Sequence, residues 1–384
     1  LLIYLILFLL VLIVSSTTNK LLPFLPLPLV QILLGIVIGL FLPNTDFHLN
    51  TELFLALVIG PLLFRESEEA DITAILKHWR IIVYLIFPVI FISTLSLGSL
   101  AHLLWLSLPL AACLAVGAAL GPTDLVAFAS LSERFSFPKR VSNILKGEGL
   151  LNDASGLVAF QVALTAWTTG AFSLGQASSS LIFSILGGFL IGFLTAMINR
   201  FLHSFLLSVR ATDIASELLL ELSLPLVTFF LAEEVHVSGI IAVVVAGILK
   251  ASRFKKITLL EAQVDTVTET VWHTVNFMLN GSVFVILGME LEMIAEPILT
   301  NPIYNPLLLL LSLVALTFVL FAIRFIMIYG YYAYRTRRLK KKLNKYMKDM
   351  LLLTFSGVKG TVSIATILLI PSNLEQEYPL LLFL

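Results

Sequence analysis

The chain has 384 residues, of which 59% are hydrophobic and only 12% are charged, and its mean hydropathy is +1.01. Soluble domains carry roughly 25% charged residues, so this composition excludes a soluble globular protein. The 24 basic and 24 acidic residues cancel, and this balance indicates no nucleic-acid partner. The single cysteine, Cys113, excludes a disulfide framework and a cysteine-based metal site.

Apolar segments of spanning length recur along the whole chain. A membrane-spanning helix needs about 20 mostly apolar residues, and charges or Gly-Pro and Pro-Asn clusters mark its ends. We predict thirteen spans, at residues 1–14, 26–42, 52–64, 80–101, 108–132, 143–168, 178–199, 213–231, 236–250, 270–290, 306–333, 350–370 and from 378 onward. The first segment lacks the basic start of a signal peptide, so we expect it to belong to a first span. The last span is expected to be incomplete.

The fifth and twelfth spans are both interrupted. A Gly-Pro step breaks the fifth span directly before Thr123 and Asp124, because proline removes an amide donor. The twelfth span is broken at 356–360, which includes Lys359. Paired broken helices in corresponding places are typical of inverted-repeat transporters with an ion site near the middle of the membrane. We expect the breaks to cross there, with Asp124 and Lys359 compensating the exposed helix ends.

These breaks predict an all-α polytopic membrane protein with two inverted six-helix repeats. The first repeat comprises residues 1–170, the second comprises 212–384, and a linking seventh span lies at 177–200. Residues 1–384 would then form a single transmembrane exchanger domain. An even number of spans in each half, with one linking helix between them, gives the halves opposite orientations.

The sixth span carries acidic and amide side chains on one stretch of helix. Glu148 and Asn152 are four residues apart on one face, and Asp153 follows directly. A small hard cation prefers several oxygen ligands, which Asp153, Asp124 and Thr123 would provide for Na+. Burial favours the protonated form of a carboxylate, so Asp153 would take up a proton when no cation is bound. One group that binds either Na+ or H+, but never both, is sufficient for exchange.

The basic residues outside the predicted spans are unevenly distributed between the two sides of the membrane. When successive connections are assigned to alternate sides, every lysine and arginine outside the spans falls on the same side. Because cytoplasmic loops are basic, this pattern places the basic loops and the C-terminus in the cytoplasm and the N-terminus outside. We expect a multi-pass protein of the plasma or inner membrane. Two cations, Arg324 and Lys359, fall within spans, and charges at that depth are typical of ion pathways.

The strings GPTDLVAF (121–128) and GEGLLNDASGLVAF (147–160) resemble the signature of NhaP/NHE-type monovalent cation:proton antiporters, and the similarity extends over nearly the whole chain. The resemblance implies a secondary transporter, not an enzyme, that exchanges Na+ (or Li+) for H+ electroneutrally in pH homeostasis. It implies alternating access in which spans four to six and eleven to thirteen move against the rest. It further implies a homodimer in the lipid bilayer, with no cofactor beyond the transported Na+ and H+.

The resemblance also implies roles for individual residues. The implied ligands of the ion and proton are Asp153, Asp124, Thr123, Asn152 and Glu66. Glu148 and Arg324 would form a structural ion pair that neutralises itself, and Lys359 would compensate the second break. Leu125 departs from the family pattern, which has proline after Thr-Asp.

Other functions are compatible with parts of this pattern. A K+/H+ antiporter of the same fold differs only in the ion, and a cation channel or pH sensor retaining the fold would lack coupled proton flux. An intramembrane enzyme has less support, because the buried acids have no nucleophile and base at suggestive spacing. Glu217 and Glu221 could form a cation funnel, but we interpret them as a solvated end of the eighth span.

Overall fold

A computed structural model describes most of the chain. The described residues are 2–22, 24–41, 51–123, 137–169, 174–209, 213–251, 259–300, 305–338, 340, 343–357, 366 and 370. Within them the regular structure is helical, and they contain no strand. The predicted all-α class is therefore confirmed.

Several helices in the first part of the described chain overlap predicted spans. In order they are α1 Leu2–Leu21, α2 Leu27–Phe41, α3 Thr51–Phe54, α4 Gly60–Glu69, α5 Ile72–Leu76, α6 Trp79–Tyr84, α7 Ile90–Leu104, α8 Leu110–Ala119 and α9 Lys139–Thr169. A wider π-helical turn, Leu55–Ile59, joins α3 to α4, and a second, Leu85–Val89, joins α6 to α7. Pro88 lies in the second turn, where its missing amide hydrogen accounts for the local change in bonding.

The second part of the chain contains longer helices. They are α10 Leu174–Ser208, α11 Ile214–Glu234, α12 Gly239–Ala251, α13 Leu259–Thr300, α14 Pro306–Arg338 and α15 Met347–Phe355. Five stretches of the described chain are long and apolar enough to cross a membrane: Trp79–Leu104, Ile182–Leu206, Ile214–Glu234, Thr266–Leu291 and Pro306–Arg338. The predicted thirteenth span lies outside the described residues, so the count of thirteen stays a prediction.

Both predicted breaks coincide with the end of a helix. α8 ends at Ala119, one residue before the Gly-Pro step, and α15 ends at Phe355, directly before Ser356 and Gly357. Proline lacks the amide hydrogen that would continue a helix, and glycine, which has no Cβ, weakens a helix by its greater backbone freedom. The residues that would cross beyond each break lie outside the described residues, and the crossing therefore stays a prediction.

Two compact units divide the chain. The first unit comprises residues 1–70 and 178–290, and the second unit comprises 71–177 and 291–384. The second unit contains the predicted spans four to six and eleven to thirteen, the bundle that alternating access would move. Each predicted repeat contributes to both units, so the units are not the repeats, whose boundaries remain a prediction.

In the second unit, small residues bring α7 and α8 close together. A Cβ on Gly98 would lie 2.8 Å from the Cα of Leu114, and one on Gly117 would lie 2.6 Å from the carbonyl oxygen of Thr94. Such close approach of backbones is the usual way for helices to pack in a membrane. Cys113 is fully buried in the same contact. This packing fixes α8, and therefore the start of the first break, against its neighbour.

Candidate functional site

A buried ion pair joins α9 to α14. The Nη1 of Arg324 lies 2.7 Å from Oε1 of Glu148, and its Nη2 lies 2.8 Å from Oε2. Glu148 is 1% exposed and Arg324 is 3% exposed. Two parallel charge-assisted hydrogen bonds of this kind satisfy both groups, whereas either charge alone would be costly to bury. The two charges of this pair, which the resemblance implies, therefore neutralise each other, and we call it a closed pair.

Arg324 also caps the helix at the second break. Its Nε donates a 3.0 Å hydrogen bond to the carbonyl of Leu353, which lies in the last turn of α15. The last four carbonyls of a helix have no partner within it, so this hydrogen bond satisfies one of them. Gly357 lies against the guanidinium group, since a Cβ there would be 2.6 Å from Nε. One side chain therefore holds the end of α15 and the acid of α9 together.

A second polar contact joins α9 to the first break. The Nδ2 of Asn152 donates a 2.5 Å hydrogen bond to Oγ1 of Thr123, and both side chains are buried. Asn152 lies one turn after Glu148 on the same helix face. One turn further on, Gly156 leaves room for the ring of Pro122, which a Cβ at that position would overlap. Within about two turns, α9 therefore contacts the first interrupted helix directly and is linked to the second through Arg324.

The contact leaves oxygen atoms available for a ligand. Within the described residues, nothing donates a hydrogen bond to the buried Oδ1 of Asn152. Oγ1 of Thr123 accepts from Asn152 and keeps a second lone pair. Buried polar atoms usually have partners, so an orphaned oxygen beside a helix break fits a cation ligand. The described chain holds no group of three or more His, Cys, Asp or Glu side chains that could bind a metal ion.

The remaining predicted site residues are distributed as follows. Asp153 lies in α9 directly after Asn152, and its side chain belongs to the part of the chain outside the description. Asp124 and Lys359 also lie outside the described residues. Glu66 is half-buried in α4, which belongs to the first unit, whereas the other site residues belong to the second.

Sequence reasoning missed the role of the Leu353 carbonyl. It assigned compensation of the second break to Lys359 alone, whereas Arg324 provides a hydrogen bond there. A backbone carbonyl leaves no signal in the residue pattern. A prediction would have required both the position of the helix end and its distance from α14.

Comparisons with known proteins place this chain in a group of ion transporters. The family model described as the transmembrane sodium/hydrogen exchanger matches residues 5–384. A protein of Bacillus pumilus named as a sodium, potassium, lithium and rubidium/H+ antiporter is 36% identical over 367 residues, covering 95% of this chain and 55% of its own length. A Bacillus subtilis protein of the same name is 34% identical, with the same coverage. The chain thus spans about half the length of these curated relatives.

Solved structures agree on the fold. The sodium proton antiporter MjNhaP1 of Methanocaldococcus jannaschii superposes with a TM-score of 0.69, covering 98% of this chain and 90% of that one. The two sequences are 18% identical, so this likeness concerns the fold alone. The all-α fold expected from the sequence is in this way supported by an independent structure.

Proposed function

Because the chain belongs to the sodium/hydrogen exchanger family, we propose that it exchanges Na+ or Li+ for H+ across a membrane. The chain is an integral membrane protein, and its family consists of transporters rather than enzymes. The observation that carries the proposal is the closed Glu148–Arg324 pair. In this pair both carboxylate oxygens of Glu148 accept hydrogen bonds from Arg324, so Asp153 is the acid of α9 that we propose to bind the ion and the proton.

The proposed ion site lies where α9 meets the first break. The hydroxyl of Thr123 and the amide oxygen of Asn152 are neutral ligands, and the carboxylates of Asp153 and Asp124 supply the negative charge. This proposal is supported by the hydrogen bond between Thr123 and Asn152, which holds two of these groups next to each other. When the cation leaves, a proton on Asp153 replaces its charge. Glu66 is retained as a further candidate ligand.

The proposed movement carries this site from one side of the membrane to the other. The helices of the second unit supply all proposed ligands except Glu66, so a rigid displacement of that unit would take the ion with it. Arg324 supports rigidity by joining α9, α14 and α15 through a single guanidinium group. We expect a homodimer in the plasma or inner membrane, with the basic loops and the C-terminus in the cytoplasm.

Sodium is the favoured ion. The Bacillus relatives are named for sodium, potassium, lithium and rubidium, so K+ and Rb+ belong in the same assay. Because position 152 is asparagine, Asp153 is the one acid of the Asn-Asp pair, and the family resemblance then implies that each cycle exchanges one Na+ for one H+ without net charge movement. No cofactor beyond the transported ions is needed for this cycle.

The decisive experiment uses purified protein in liposomes that contain a pH-sensitive dye. Addition of Na+ should move protons with the wild type and fail to do so with Asp153→Asn. Glu234→Gln is a matched control, because it removes an exposed carboxylate of α11, in the first unit. Retained exchange in Asp153→Asn would exclude the proposed site.

Further measurements in the same liposomes distinguish electroneutral sodium exchange from the other candidate functions. A membrane-potential dye should stay silent when Na+ is added, and a potential would exclude electroneutral exchange. Tracer uptake of Na+ without any proton movement would indicate a channel instead of an antiporter. A response to K+ alone would replace sodium as the transported ion.

A further inference from the structure

A basic cavity lies in the second unit, and none of the proposed ion ligands lines it. It has a volume of about 270 Å³ and is lined by Leu76, Lys77, His78, Trp79, Arg80, Ile81, Tyr331 and Arg335. A water molecule occupies about 30 Å³ of liquid, so the cavity has room for a tetrahedral anion with several waters. Its lining contains three permanent cations and no carboxylate.

The cations of this cavity are not neutralised by neighbouring acids. Within the described residues, Lys77, Arg80 and Arg335 form no ion pair. Asp71, at the start of α5, accepts hydrogen bonds from Thr73 and Ala74, and its electrostatic interaction with Lys77 is weaker than these. Across the bundle, Asp349 lies 3.5 Å from Arg140 instead. The lining therefore keeps a net positive charge that an anion would offset.

The pKa of His78 reflects the positive charges around the cavity. Burial lowers the pKa of its imidazole, and the positive charges of Arg140, Arg335 and Lys77 lower it further. The ring is therefore neutral near pH 7 and can still donate one hydrogen bond. The positive charges that favour the neutral form of His78 also attract an anion.

The position of the cavity points to the membrane surface. Trp79 is the first residue of one spanning stretch, and Arg335 lies in the last turn of another, so two span ends meet there. The Trp79 ring is 53% exposed and lies 5.6 Å from the Arg80 guanidinium. Tryptophan and arginine are typical of the headgroup level, where acyl chains are close on one side and water on the other.

We propose that this cavity binds the phosphodiester group of an anionic phospholipid. Arg80 and Arg335 would contact the phosphate from two helices, with Lys77 and His78 as further donors. The exposed apolar surface of Leu76 and Trp79 would contact the start of the acyl chains. A bound phosphate relieves the repulsion among the cations and so stabilises the second unit. This proposal does not rest on the transport cycle proposed above.

The test measures binding to the full chain in detergent. The probes are dioctanoyl-phosphatidylglycerol, dioctanoyl-phosphatidylcholine and inorganic phosphate, and binding is followed by native mass spectrometry and by the shift of the unfolding temperature. Phosphatidylglycerol should bind and raise that temperature, whereas phosphatidylcholine should do neither. The double variant Arg80→Ala with Arg335→Ala should weaken phosphatidylglycerol binding about tenfold or more, since each basic residue near a membrane surface contributes measurably to anionic-lipid binding.

The control removes the same charge from the same region. Arg337→Ala with Arg338→Ala changes two exposed arginines of the same last turn that do not line the cavity. This control variant should retain phosphatidylglycerol binding. An equal loss of binding in the control would show that the attraction is nonspecific, and this result would overturn the proposed site. Inorganic phosphate that competes as well as the lipid would assign the cavity to a free anion and overturn the lipid as its source. Size-exclusion profiles identify variants that fail to fold, for which Arg80→Lys serves as the milder replacement.

Discussion

The two units both bury charged side chains, but they hold them in different ways. In the second unit, Glu148 and Arg324 form one bidentate pair that is almost completely excluded from solvent. In the first unit, Nζ of Lys250 lies 2.7 Å from Glu221 and 3.7 Å from Glu68. These two acids are 15% and 16% exposed, so water reaches them.

The difference lies in the number of other hydrogen-bond or ion-pair partners that each buried acid has. Glu221 also accepts a 3.0 Å hydrogen bond from Nε1 of Trp272, and Glu68 also pairs with Arg65 at 2.9 Å. The loss of Lys250 therefore leaves both acids with a partner. Glu148 has no comparable second cation among the described residues. Buried pairs without substitutes are the costly ones to break, whereas shared and hydrated networks tolerate single losses.

The largest effect is expected for Arg324→Met. It leaves Glu148 charged and buried and frees the carbonyl of Leu353, so we expect a loss of about 3–5 kcal/mol in stability. Thermal unfolding of the detergent-solubilised protein, followed by tryptophan fluorescence, measures it. Arg337→Met, in the last turn of the same helix, is the matched control. Equal unfolding temperatures for these two variants would contradict the closed-pair interpretation.

Restoring neutrality should recover part of that loss. The double variant Glu148→Gln with Arg324→Met contains no unpaired buried charge, so it should be more stable than Arg324→Met alone. Coupling between contacting residues is about 0.5–3 kcal/mol, which a double-mutant cycle can resolve. Strict additivity of the two single changes would indicate that the contact contributes nothing.

A smaller effect is expected for Lys250→Met in the first unit. Both acids keep another partner, so the loss should be about 1–3 kcal/mol and below that of Arg324→Met. The same fluorescence assay measures it, with Lys20→Met at the exposed end of α1 as control. A loss as large as that of Arg324→Met would remove the distinction between the two units.

The smallest effect is expected at a solvated carboxylate on the helix that carries Glu221. Asp213 caps α11, and hydrogen bonds from Ser216 lower the pKa of its carboxyl group below the ordinary value of 3.8. A lowered folded-state pKa means that the stabilisation is present above 3.8 and is lost as the pH falls through the folded-state pKa. Asp213→Ala should therefore destabilise the protein at pH 7, with a difference that disappears in acid.

Asp213→Asn provides the control for this pH dependence. Asparagine caps helices about as well as aspartate but does not titrate. The asparagine variant should keep most of the stability at pH 7, and that part should not respond to acid. A pH-independent difference between wild type and Asp213→Ala would show that the charge has no role in the cap.

The sequence sufficed where residue type determines structure. Long apolar segments predict spans, Gly-Pro and Ser-Gly steps predict helix ends, and both break positions agree with the ends of α8 and α15. The predicted family is confirmed by the match over residues 5–384. The motif around Asn152 and Asp153 was enough for this, because amide and carboxylate groups are rare inside spans.

Contacts between distant segments could not be predicted in the same way. Glu221 was interpreted as part of a solvated helix end, yet it is mostly buried beside Lys250 and Trp272, which come from other helices. Nothing in the local pattern of α11 indicates those neighbours. The capping of α15 by Arg324 was missed for the same reason.

The Glu148–Arg324 pair has a consequence for how the protein is made. The two residues are 176 positions apart, and a ribosome adds about 5–20 residues per second, so α9 is completed on the order of ten seconds or more before its cation exists. An isolated carboxylate is costly inside a bilayer. We therefore expect Glu148 to stay shielded from lipid at the insertion machinery until Arg324 is made. On this view the second unit acquires its final helix arrangement late in synthesis, when α14 arrives.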